Sequence, residues 1–162
     1  MTREKPTCKK YLVSSLLVLA LVFSAACGSK VVRGESPLVR MTELSHQGNI
    51  ISLQMNMRNL NGVDLDILSI DFRLTVNENK DELFIYKGPV DTNIVANGVE
   101  SWSVEVEESK VSRDLLESLE KGEIKSLPYK LKGSVISKDD GKLRFEYEGH
   151  IYPLPGKPGY FR

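Results

Sequence analysis

The chain has 162 residues with 22 basic and 22 acidic side chains, so it lacks the basic excess of a nucleic-acid footprint. Hydrophobic residues make up 41% and charged residues 27%, an ordinary globular balance that fits collagen-like, disordered and multi-span membrane classes badly and makes one domain the default. The two cysteines, Cys8 and Cys27, flank the only long apolar run, so no disulfide framework is expected.

The first element in chain order is an address. Arg3, Lys5, Lys9 and Lys10 stand against a single Glu4, and Tyr11 to Phe23 is apolar apart from Ser14 and Ser15. That is a secretory signal pattern. The run through Ala26 is 16 residues, short of the roughly 20 that span a bilayer as a helix, so a retained anchor helix is the weaker reading. Small residues close it as Ser24-Ala25-Ala26-Cys27-Gly28, and here the chain resembles a bacterial lipoprotein lipobox, with Ser24 where that pattern most often has Leu. The resemblance implies that Cys27 takes a diacylglycerol on sulfur and becomes the N-terminus, attaching the protein to a membrane through its acyl chains. More than one chain makes such attachment stable. A plain secreted protein cut after Ala26 would leave Cys27 as an odd free thiol; lipidation is the simpler account. In family terms, Gly28 in place of Asp implies sorting to the outer membrane, with the domain expected to face the periplasm. Removing residues 1–26 leaves 136 residues with 18 basic and 21 acidic groups, a net charge of −3 and enough chain for one core.

Gly28 to Pro37 is polar with Gly, Ser and Pro, which predicts a flexible tether over 27–37 and a folded domain from Leu38. Ile51, Leu53, Met55 and Met57 alternate with polar residues, the period of a half-buried strand. Asn59-Leu60-Asn61-Gly62 predicts a turn, and Leu68, Ile70, Phe72, Leu74 and Val76 a second strand. Leu83 to Tyr86 reads as a short strand ending at Gly88-Pro89. Asn97-Gly98 reads as a hairpin turn before a strand carrying Trp102, Val104 and Val106. One helix is expected, with Ser112 as N-cap, Asp114 in the first turn, Leu115, Leu116 and Leu119 on one face, and Gly122 beyond its end. Tyr129 to Val135 and Leu143 to Tyr147 then flank an Asp139-Asp140-Gly141 hairpin, and Pro153, Pro155 and Pro158 end the ladder. Repeated strands with short turns and one helix predict an antiparallel β-sandwich.

This order of elements resembles the water stress and hypersensitive response domain of the group 2 late embryogenesis abundant proteins. The residues that carry the likeness are Met57-Arg58-Asn59-Leu60-Asn61, similar to the family's Asn-Pro-Asn turn with Leu60 in place of proline, then Leu68 to Val76. Pro128-Tyr129-Lys130-Leu131-Lys132-Gly133 is similar to its Tyr-x-x-x-Gly strand, and Phe145-Glu146-Tyr147-Glu148-Gly149 follows. The resemblance covers most of residues 38–155 and implies a fibronectin type III or immunoglobulin-like sandwich, a role in desiccation and envelope stress, and no catalytic residues.

The residues themselves supply little chemistry. His46 and His150 are the only histidines, and neither has a second ligand at metal spacing, so both are expected at the surface. Asp139-Asp140-Gly141 is explained by its hairpin rather than by calcium. Asp64 with Asp66, and Glu105 with Glu107 and Glu108, offer paired carboxylates of the kind general acid–base catalysis uses, but a solvated strand face uses them equally well. No nucleophile elbow or phosphate loop is present. Trp102, Met55 and Met57 are expected in the core. Residues 156–162 form a C-terminal tail, read as either a docking segment or a frayed end. The expectation is therefore a protein that is not an enzyme, with no cofactor, metal or small-molecule substrate, and with a lipid-anchored role in stress tolerance. The alternative is an accessory interaction module that docks a protein of the envelope.

Overall fold

The computed structural model describes residues 34–77 and 81–162. The signal segment, Cys27 and the first part of the expected tether lie outside the described residues.

Among the described residues, eight strands and one helix follow in order: β1 (Leu38–Gln47), β2 (Ile50–Arg58), β3 (Leu65–Val76), β4 (Asp81–Ile94), β5 (Val99–Glu107), α1 (Lys110–Glu120), β6 (Leu127–Ser137), β7 (Gly141–Ile151) and β8 (Tyr160–Phe161). Every pairing is antiparallel. The strands form two four-stranded sheets, β5-β2-β1-β8 and β4-β3-β6-β7, the expected β-sandwich. Alternation builds the layers, because successive strand side chains point to opposite faces. Ile51, Leu53, Met55 and Met57 of β2 are wholly buried, as are Leu74 of β3 and Leu131 and Val135 of β6, while Ile70 and Phe72 are nearly so, all within one core. Phe72 and Phe84 stack with ring centroids 5.8 Å apart.

Several elements differ from the sequence reading. β1 has no counterpart there: its core residues Val39, Met41 and Leu44 are spaced two and then three, because the register shifts at a bulge between Met41 and Glu43. A bulge adds one residue on one strand and so breaks the period-2 pattern. The same device acts in β3, where a shift between Ile67 and Ser69 puts Leu65 and Ile67 in the core and leaves Leu68 exposed. β4 does not stop at Gly88-Pro89 but runs through it to Ile94. It is the edge strand of its sheet, where a missing proline N–H costs no ladder bond. Asn97-Gly98 is a tight turn, with Asn97 at φ +57° and the Gly98 N–H donating to Val95 O at 2.8 Å. Yet it joins strands of different sheets, so it makes no ladder hairpin.

The helix starts earlier than expected. Ser109 is the N-cap, and Ser112 is the third helical residue of a reciprocal capping box with it, which leaves Asp114 beyond the first turn. Its end is as read: Gly122 at φ +74° donates to Leu119 O, and Glu123 N–H reaches Ser118 O at 3.0 Å, the paired bonds that close a helix on glycine. Leu116 and Leu119 carry the buried face. At the far end of the chain, residues 156–162 are neither free nor frayed. Tyr160 and Phe161 pair with Ser45 and Leu44 of β1, and Phe161 is buried. At the start, Gly34 N–H donates to Asp140 Oδ1 at 3.2 Å and Glu35 N–H to Asn61 Oδ1 at 2.6 Å. The segment expected to be free up to Pro37 is thus held to the domain from Gly34.

Candidate functional site

Two of the sequence candidates, His46 and Glu108, meet at the end of the sandwich where β1, β5 and α1 come together. Glu108 leaves β5 one residue before the helix cap, and its carboxylate is wholly buried between the His46 imidazole and the Arg113 guanidinium. His46 Nε2 lies 2.5 Å from Oε1, and Arg113 Nε donates to Oε2 at 2.5 Å. Asn49 in the β1–β2 turn accepts the Glu108 N–H at 2.8 Å. The His46 N–H donates to Gly159 O at 2.7 Å, while Gly159 N–H donates to Glu120 Oε1. Glu108 was expected on a solvated face; it is instead the centre of this cluster. His46, expected at the surface, keeps only 15% of its side chain exposed. The carboxylate holds the Arg113 guanidinium above its ordinary range, first by its hydrogen bond and then by its charge.

A carboxylate–imidazole pair is the geometry that orients a general base. Beside it, the Ser109 and Ser112 hydroxyls lie 2.8 Å from each other and are committed to the capping box. Nε2 of His46 also lies 3.1 Å from Gly48 O. A ring nitrogen carries at most one hydrogen, so Gly48 and Glu108 compete for it. When Gly48 takes it, Oε1 has no donor within the site. The cluster works as a brace that ties the β1–β2 turn, β5, the helix start and the C-terminal segment together.

The other candidates stand apart. His150 is exposed on β7. Asp64 accepts the Ala96 N–H and Asp66 the Asn93 amide, so Asp64 fastens the β4–β5 connection to the β2–β3 loop and Asp66 fastens the end of β4 to β3. Asp140 receives Gly34. Among the described residues, no three His, Cys, Asp or Glu side chains are grouped to hold a metal ion. Met55 and Met57 are core. Trp102 is partly buried against the core, with Nε1 enclosed and unpartnered.

Two features went unread in the sequence. The first is a hub: Asn59, wholly buried, donates from Nδ2 to Val63 O (2.7 Å), Ile94 O (3.1 Å) and Val95 O (3.3 Å), and accepts from Asn61 N–H (2.9 Å). Asn61 in turn exchanges two bonds with Glu35. The second is a charged outer face on the sheet containing β6. Asp71, Arg73, Lys132, Ser134, Lys142 and Arg144 line a groove of about 240 Å³ there. Beside it Lys130 bridges Glu146 and Glu148, which holds its ammonium above the ordinary range and the Glu146 carboxyl below it.

No protein-family model and no curated protein matches the chain. Among solved structures, it is similar to a candidate late embryogenesis abundant protein at 16% identity, covering 93% of this chain and 88% of that one, with a TM-score of 0.45. It is also similar to a protein from Arabidopsis thaliana at 13% identity, covering 75% and 87%, with a TM-score of 0.49. A third is a protein from Archaeoglobus fulgidus at 9% identity, covering 72% and 95%, with a TM-score of 0.44. It is the strand register of this chain that makes it an antiparallel β-sandwich.

Proposed function

We propose that this protein is a lipid-anchored, non-catalytic sandwich of the late embryogenesis abundant group 2 type, serving desiccation and osmotic stress tolerance at the outer membrane, on its periplasmic side. The observation that carries the anchor is the run of small residues before Cys27, behind a basic segment and a 16-residue apolar stretch. The stress role rests on the resemblance of the Asn59–Asn61 turn and the Tyr129–Gly133 strand to that family. A domain that keeps its polar faces presented and its core closed suits a surface role. The buried brace around Glu108 fits that reading, since its hydroxyls are committed to a helix cap.

The test is the intact mass of the protein extracted from membranes, for wild type and Cys27→Ala. An added mass of acyl-chain size that the variant loses supports the anchor, and an unmodified wild type rejects it. Survival of drying and osmotic shock in a deletion strain tests the role; unchanged survival rejects it. The second reading, an accessory module docking an envelope protein, is favoured by the edge positions of β4, β5 and β7, which have no further strand partner among the described residues and offer backbone groups for strand addition. Crosslinking in intact cells that recovers one stoichiometric partner supports that reading.

A further inference from the structure

We infer that the tip of the sandwich formed by the β2–β3 and β4–β5 loops is a membrane-contacting surface, seated in the bilayer interface beside the anchor. The inference rests on the lipidation of Cys27 proposed above and adds to it a second point of contact.

The tip carries four exposed apolar side chains: Leu60 at 41%, Val63 at 67%, Val95 at 59% and Val99 at 52% exposure. Leu60 and Val63 lie in the β2–β3 loop, Val95 in the β4–β5 loop and Val99 at the start of β5, and the Asn59 hub holds the two loops side by side. Its Nδ2 binds the carbonyls of both Val63 and Val95, and Asn97 N–H adds a bond to Asn61 O at 3.1 Å. Exposed apolar residues scattered singly need no explanation, whereas a group of them does. The hub also makes the tip rigid, so no loop ordering has to accompany insertion.

The same hub receives the N-terminal segment, because Asn61 accepts the Glu35 N–H and donates to Glu35 O. Gly34 is fastened to Asp140 in the neighbouring β6–β7 turn. From Cys27 to Gly34 is seven residues, a reach of about 25 Å at full extension. An acylated Cys27 therefore holds Gly34, and with it this end of the domain, within about 25 Å of the membrane. So short a tether gives an effective concentration on the order of millimolar, which populates a contact too weak to form alone.

Charge does not drive this contact. Around the tip stand Glu35, Asp64, Asp139 and Asp140 against Arg58 and Lys138, so anionic headgroups are disfavoured. The contact is apolar, prefers zwitterionic lipid, and resists salt.

The experiment uses the full-length gene, with protein extracted from membranes and reconstituted into phosphatidylcholine vesicles containing spin-labelled lipid. An environment-sensitive fluorophore is placed at Val63→Cys, and in a second variant at Ile85→Cys, an exposed site on β4. The expected result is a blue shift and quenching at 63 but not at 85, persisting in about 1 M salt, where the Debye length is ~3 Å. Adding Val95→Asp abolishes the quenching at 63 without moving the melting temperature. Equal behaviour at 63 and 85 overturns the inference. Intact mass on the same samples tests the anchor separately. If Cys27 proves unmodified, the anchor reading falls and the tip is tested on unanchored protein with millimolar vesicles: quenching confined to 63 sustains it, and none rejects it.

Discussion

Asn59 shows how one polar residue can be worth more inside a protein than several apolar ones. Its two amide hydrogens are shared among three carbonyls, and its oxygen accepts a backbone N–H, in a place water does not reach. Removing one partner from a buried hydrogen bond leaves the other unsatisfied, at about 1–3 kcal/mol for each such group. Asn59→Ala is therefore expected to destabilise the domain by about 3 kcal/mol, read as a lower urea midpoint with an unchanged slope. Asn59→Asp should be worse, since it sets a carboxylate against carbonyl oxygens. Tyr129 gives a second residue-scale outcome. Its ring lies over Gly149, where an added Cβ would sit 2.8 Å from it, and burial pushes its hydroxyl up to about 12. A tyrosine ionises near 10 in an unfolded chain. The folded value is the higher one, so the stability it contributes is complete below pH 10 and is lost as pH rises through 12. Absorbance at 295 nm should show one tyrosine ionising late, and Tyr129→Phe should remove both that step and the alkaline loss. The value of Asn59 was half legible: the turn propensity was plain, but its burial depends on strands β3 and β4 arriving beside it. Glu108 was misread for a related reason. In sequence it continues an acidic strand face, and only the helix and the β1–β2 turn packing over it exclude water.

At the scale of elements, what the sequence conceals is register and length. β2 and β6 were read correctly because their alternation is unbroken, and β1 was missed because a bulge splits its pattern. Proline in β4 signalled an end that the edge position makes unnecessary. The capping residue of α1 was placed three residues late because Ser109 and Ser112 both suit a cap, and the geometry uses both. β8 is the sharpest case. Two residues after a run of prolines give no strand signal, yet Phe161 is 1% exposed, and Tyr152 and Arg162 exchange two backbone bonds of 2.8 and 2.9 Å. The segment thereby covers part of the β1 edge, where unpaired strand groups invite other chains. Phe161→Ala should cost about 3–5 kcal/mol through the cavity it leaves. A melting temperature lower by about 10 °C or more is the expected reading for a domain of this size. If the melt is unchanged, the C-terminal strand contributes nothing to the core and the tail reading returns.

For the whole molecule, the question is what happens when water leaves. The backbone bonds of the sandwich are internal, in two sheets of four strands, so drying removes no partner from them. Drying also lowers the dielectric around surface charges, which strengthens existing pairs. Lys130 with Glu146 and Glu148, and Lys121 with Glu117, are already paired. Lys87, Lys142 and Arg144 carry no ion pair among the described residues, and as water is withdrawn they gain most from an anionic neighbour. A disordered protein under the same stress collapses into new local structure, whereas a prefolded sandwich has none to gain. The infrared amide I band of a dried film should therefore keep the strand signature of the solution, and rehydration should restore an unchanged melting curve. Helical absorption appearing on drying, or loss of the strand band, would remove the physical basis for a surface that works in the dry state. It would leave the anchor and the interaction-module reading untouched.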